Sequence, residues 1–228
     1  MGRTYFVAGT DTEVGKTFVS AALLTAAANA GLQTAAVKPV ASGCARTEAG
    51  LRNGDALLLQ GAMTLELDYQ QVNPFALEPP IAPHIAAIEA GKQLSVSRMA
   101  GICRGVMSAG ADLVLIEGAG GWRTPLGPRV LLSQLPRELN TPVILVVGMR
   151  LGCINHALLS AEAICRDGLP LAGWVANFAR EGMARAEENL ATLEALLPAS
   201  LLGVVPHSET RDYREAARHL DIRPLLPA

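Results

Sequence analysis

The segment FVAGTDTEVGKTF, Phe6–Phe18, joins an apolar run to a helix-forming run through a turn of glycines and threonines. A turn of this kind points several backbone N–H groups at one spot, and the helix start adds a partial positive charge. Gly15-Lys16-Thr17 completes the pattern: Lys16 reaches outer phosphates and the Thr17 hydroxyl suits Mg²⁺. The usual G-x-x-x-x-G-K-[ST] spacing calls for glycine at position 10, where this chain has Thr10; Gly9 sits one step early. Five residues before Lys16, where partition and septum-placement ATPases carry a second lysine, stands Asp11. A carboxylate there cannot bind phosphate as a cation; it either meets a cationic substrate or bonds its own turn.

The rest of the chain sets that turn in an alternating pattern. Thr4–Ala8, Thr34–Lys38, Asp112–Glu117, Pro142–Val147, Leu171–Ala176 and Leu201–Val205 are continuously apolar runs, as parallel strands covered on both faces require. Helical stretches lie at Lys16–Ala30, Ser95–Ala109, Cys153–Asp167 and Met183–Leu196. Strand and helix in alternation predict one α/β domain spanning residues 1–228, a mostly parallel doubly wound sheet with helices on both faces, of the P-loop NTPase kind. Val72–His84 holds four prolines and reads as a long ordered loop, either functional or a surface excursion.

Four rim positions extend the candidate site, each with a plainer reading beside it. Lys38, in KPVASG at the end of the second strand, shares a rim with the glycine turn, since the carboxyl ends of parallel strands gather there; it is equally an edge lysine reaching for solvent. Glu117 ends the run DLVLIE where an acid facing Mg²⁺ belongs. Asp55 is either another such acid or the N-cap of the helix that ALLLQ begins. Gly152–Asn155, in GMRLGCINHA, opens a helix after a buried strand and suits a carboxylate, or merely water. His156, with no visible partner, is read as structural.

Charge and cysteine content narrow the classes. A formal net charge of -2 makes no case for nucleic acid or an anionic membrane as partner. Cys44, Cys103, Cys153 and Cys165 form no C-x-x-C pair, so zinc and redox motifs are not indicated and reduced thiols in the cytoplasm are expected. No apolar stretch is long enough to span a membrane.

GTDTEVGKT, KPVASG, the Asp55 region, IEGAGGW followed by TPL, VILVVG, LGCINHA and GWVAN stand in one order that resembles the dethiobiotin synthetase family from Thr4 to about Pro206. The resemblance implies ATP-driven ring closure of 7,8-diaminononanoate with CO₂, through a carbamate and a carbamic–phosphoric anhydride, by a homodimer. It implies catalytic roles for Lys16, Lys38 and Thr12. ATP contacts are implied at Glu13, Val14, Gly15, Lys16, Thr17, Phe18, Asp55, Glu117, Gly118, Ala119 and Gly120. Adenine contacts fall at Asn177, Pro206 and His207. Mg²⁺ falls to Thr17, Asp55 and Glu117, and the organic substrate to Ser42, Gly152, Cys153, Ile154 and Asn155.

Overall fold

The computed structural model describes residues 2–226. Six strands form one parallel sheet: β1 (Arg3–Gly9), β2 (Thr34–Val37), β3 (Leu113–Gly121), β4 (Val143–Gly148), β5 (Leu171–Asn177) and β6 (Leu201–Val205). Their spatial order is β6-β5-β4-β1-β3-β2. Every residue of β2 and β4 is buried, so both sheet faces are covered and the apolar runs need no alternation. The longer helices are α1 (Lys16–Asn29), α2 (Gly54–Ala62), α3 (Val96–Met107), α4 (Cys153–Arg166) and α5 (Ala186–Leu196). Trp174, on β5, is the largest fully buried side chain.

Strand order sets the position of the site. The chain leaves central β1 for the β2 edge, returns through β3, and then builds outward on the other side with β4, β5 and β6. The reversal falls at β1, and the crevice beyond the carboxyl ends of its neighbours is where such sheets take ligands. Register brings Val7 beside Glu117, Gly9 beside Val146, Gly148 beside Asn177 and Asn177 beside Val205. Val37 pairs with Ile116, so Lys38 and Glu117, each one residue further on, stand at one level.

One expectation is corrected and one open alternative is decided. The proline-rich stretch is not a plain loop: Phe75–Ala76 pairs in parallel with Val40–Ala41, and Pro83–Glu89 is helical with proline in its first turn, where the missing N–H costs nothing. The N-cap of α2 is Asn53, whose side chain accepts from the Ala56 N–H, which leaves the Asp55 carboxylate free for other work.

Candidate functional site

The loop between β1 and α1 is held from several sides. The Thr10 N–H donates to the Val146 carbonyl at 3.0 Å, and the Gly148 N–H donates to Thr10 Oγ1 at 3.4 Å. Asn177 Nδ2 donates to the Val14 carbonyl at 2.7 Å. Glu13 and Gly15 take left-handed φ of 59° and 86°, which turns successive N–H groups toward one concavity. Lys16 is 7% exposed, and its ammonium folds back onto the Asp11 carbonyl at 3.1 Å. Burial and the nearby Lys38 ammonium lower its pKa to about 8, against the opposing pull of Glu117, Asp55 and Asp11. A buried lysine of this kind gains most from an arriving anion.

Asp11 forms an ion pair with Arg150 at 2.5 Å, and its Oδ1 accepts the Thr12 N–H at 2.7 Å. Sequence reading reached the turn bond but missed Arg150, which lies 139 residues away along the chain.

Next to the loop lies a charged cluster. Lys38, 4% exposed, donates to Glu117 Oε1 at 2.5 Å and to Asp55 Oδ2 at 3.0 Å. It is therefore not an edge lysine reaching for solvent. Burial disfavours its charge, but Glu117 and Asp55 outweigh that and raise its pKa. Asp55 keeps its carboxyl below the ordinary value: partial burial pushes up, and Lys38, with Lys16 beyond it, pulls down more strongly. The Thr17 hydroxyl donates to the same Glu117 Oε1 at 2.7 Å. Glu117 Oε2 is buried without a partner. A fully buried carboxylate with one idle oxygen, a hydroxyl on its other oxygen and a second acid close by make an oxygen donor set. Such a set fits a hard cation that keeps several waters and takes one or two carboxylates. Among the described residues no group of three or more His, Cys, Asp and Glu gathers to cage a metal outright.

A cleft of about 580 Å³ opens beside this cluster. Of the expected ATP contacts, Glu13, Gly15, Lys16, Thr17, Phe18, Asp55, Asn177, Pro206 and His207 line it. Val14 is buried beneath the loop. Glu117, Gly118, Ala119 and Gly120 are not on the cleft wall: the Gly118 carbonyl accepts from Lys38 at 3.4 Å, and a Cβ on Gly120 would meet the Thr124 hydroxyl first and the Thr12 hydroxyl at 3.6 Å. Sequence reasoning missed Leu58, Phe178, Ala179, Arg180, Ser208 and Arg211 on the cleft wall, and the ion pair between Arg180 and Glu13 at 3.3 Å. Phe178, Ala179 and Arg180 follow β5, and Ser208 and Arg211 follow β6, positions that hinted at them; nothing hinted at Leu58, which lies on α2.

The remaining substrate positions are set differently. Ser42 Oγ is buried without a partner, and the Ser42 carbonyl accepts from Asn53 Nδ2 at 3.1 Å. Gly152 takes φ 94° and caps α4 at its start. The Cys153 side chain is buried and its N–H already donates to the Arg150 carbonyl at 2.9 Å, so the donors left at this helix start are those of its neighbours, Ile154 and Asn155 among them.

A parallel sheet whose central strand runs through a glycine turn into a helix, with a buried lysine at the helix start, defines a P-loop nucleotide-binding protein. Solved structures with this fold include the MinD cell division protein of Aquifex aeolicus. It has a TM-score of 0.58 and 16% identity, covering all of this chain and 92% of that one. A ParA family ATPase from Chlorobium tepidum TLS follows, with a TM-score of 0.57 and 11% identity, covering 96% and 90%. A family model described as an AAA domain matches residues 3–212. The protein named ATP-dependent dethiobiotin synthetase BioD in Pseudomonas paraeruginosa (strain DSM 24068 / PA7) is 61% identical over 221 residues, 97% of each chain. Its namesake in Cellvibrio japonicus (strain Ueda107) is 55% identical over 226 residues, 99% of each. The chain belongs to the ATP-dependent dethiobiotin synthetase family.

Proposed function

We propose that this chain makes dethiobiotin, an ATP-driven step of biotin biosynthesis, by closing 7,8-diaminononanoate and CO₂ into a cyclic urea with release of ADP and phosphate. One observation carries the reading. Two buried lysines, one in the glycine turn and one at the tip of β2, lie on one rim with Thr17, Asp55 and Glu117 between them. Phosphoryl transfer asks a protein mainly to position its reactants and neutralise charge.

In this scheme one substrate amine adds to CO₂, losing a proton and forming a carbamate. A carbamate oxygen attacks the γ-phosphorus of ATP and ADP leaves. The second amine then attacks the carbonyl carbon of the anhydride and loses a proton, and phosphate leaves as the ring closes. The backbone of Glu13–Phe18 cradles the phosphates, and Lys16 offsets the charge that develops on them. Lys38 serves the carbamate and the γ-phosphate, the role for which Asp11 leaves no loop lysine. Thr12 and Ser42 orient the carbamate end; the idle hydroxyl of Ser42 supports this. Thr17, Asp55 and Glu117 hold Mg²⁺, which when bound neutralises phosphate charge. Gly118, Ala119 and Gly120 shape the floor between Lys38 and Thr12. Asn177, Pro206 and His207 bound the adenine. Gly152, Ile154 and Asn155 take the substrate carboxylate, and Cys153 contributes the buried side chain on which that turn packs.

The same reading makes the 228 residues one domain of a cytoplasmic homodimer. Leu151 is 97% exposed immediately before the carboxylate-binding turn, an apolar residue that a partner subunit would cover. No described helix is long and apolar enough to cross a membrane.

ADP release tests the proposal. It should require both diaminononanoate and bicarbonate. Hydrolysis indifferent to both, and stimulated by DNA or lipid, would overturn it in favour of a nucleotide switch.

A further inference from the structure

The groups assigned to the divalent cation are already engaged. The Lys38 ammonium bridges Asp55 Oδ2 and Glu117 Oε1, and the Thr17 hydroxyl spends its proton on that same Glu117 oxygen. Glu117 Oε2 is buried and idle. Two ammonium groups, Lys16 and Lys38, face two carboxylates, Asp55 and Glu117, so the formal charge of the cluster is +2 − 2 = 0. A divalent cation set against those carboxylates would leave an excess of two positive charges beside Lys38, and because Lys38 and Glu117 are buried, water screens that repulsion poorly. The carboxylates cannot serve both cations at full strength.

The Lys38 backbone is fixed. Its N–H donates to the Val72 carbonyl at 2.7 Å, and its carbonyl accepts from Asn73 Nδ2 at 2.7 Å. Any change of partner must therefore come from rotation of the lysine side chain. Without that ammonium, and with no cation in its place, Glu117 would be a fully buried carboxylate with only the more distant Lys16 as counter-charge, which is costly.

We infer that Lys38 is also the built-in counter-ion of the metal site, so that its ammonium and a divalent cation compete for Asp55 and Glu117; this rests on the function proposed above. When the site is loaded, Lys38 exchanges carboxylate partners for the anions of nucleotide and carbamate. The lysine is thus delivered to the phosphate only when metal accompanies the nucleotide, and metal-free nucleotide leaves it paired with the acids.

The test uses Mn²⁺ alone as probe, titrated into the full-length protein without nucleotide and followed by electron paramagnetic resonance. Lys38→Met should bind Mn²⁺ at least tenfold more tightly than the unaltered protein; equal or weaker binding overturns the inference. A second measurement needs no variant. The chain has three lysines, Lys16, Lys38 and Lys92, so ¹⁵N-lysine labelling gives a readable set of ammonium signals. The most protected, that of Lys38, should move on adding Mg²⁺ with a non-hydrolysable ATP analogue, and stay when the analogue comes with a chelator. A signal that is unmoved by the metal, or moved as much without it, also overturns the inference. Failure of Mn²⁺ to bind the unaltered protein even with the analogue present would instead remove the proposed function, and the inference with it.

Discussion

Asn177 and Val14 are 163 residues apart in the chain and are joined by a 2.7 Å hydrogen bond from the Asn177 amide to the Val14 carbonyl. The tip of β5 thereby holds up the phosphate loop. A side chain on Gly15 would place its Cβ 2.2 Å from Asn177 Nδ2, at a φ of 86° that disfavours any L side chain. Gly15→Ala should cost about 1–3 kcal/mol of stability and weaken ATP binding at least tenfold. Asn177→Ala should cost about 1–3 kcal/mol by stranding a buried carbonyl. Because one change removes the obstacle the other meets, the double variant should lose less than the sum in thermal melts. Strict additivity would show that the two do not share this contact.

Lys16 has a pKa of about 8, well below the ordinary lysine value of 10.5. Between these limits the unfolded chain holds a proton there that the folded protein lacks, so this group's contribution to stability rises with pH over that window. An arriving triphosphate favours the charged form, so ATP affinity should fall as pH climbs past 8, and binding near pH 9 should take up a proton. Calorimetry in buffers of different ionisation heat reads the uptake, and melting curves against Lys16→Met read the stability. A melting difference between the two proteins that is flat from pH 7 to 10 would mean Lys16 titrates normally.

Glu117 is the fully buried member of the charged cluster. Glu117→Gln leaves Lys38 buried against Asp55 alone, and breaking a buried pair in this way costs about 3–5 kcal/mol. Turnover should fall at least a hundredfold. Lys38→Ala should abolish turnover while ATP still binds; full activity in that variant would take Lys38 out of the mechanism.

The Asp11–Arg150 pair is half-exposed on both sides. Arg150→Ala should therefore cost under about 1 kcal/mol, and less still in high salt. A loss of several kcal/mol in chemical denaturation would show that the pair is a structural staple and not a surface contact.

Most of the sheet was legible from residue order because its strands are continuously apolar and long enough to carry a pattern. β6 has the expected bounds, Leu201–Val205, and α1 starts at Lys16 as the glycine turn requires. Phe75–Ala76 was hidden because two residues have no periodicity and prolines surround them. Asp55 was ambiguous because an acid at a helix start caps as readily as it ligates. Asn53, two positions earlier, took the cap, and the position of Lys38 drew the carboxylate away.

Residue order by itself determined the phosphate loop, the class of sheet and the roster of lysines, acids and hydroxyls, because local turn chemistry and apolar patterning are written within a few neighbouring residues. Tertiary structure alone decided who meets whom. Lys38 reaches Glu117 across 79 positions, Arg150 reaches Asp11, and Phe178 and Arg211 wall the cleft. Strand order and register place those partners, and they depend on how the whole sheet packs rather than on any one stretch of chain.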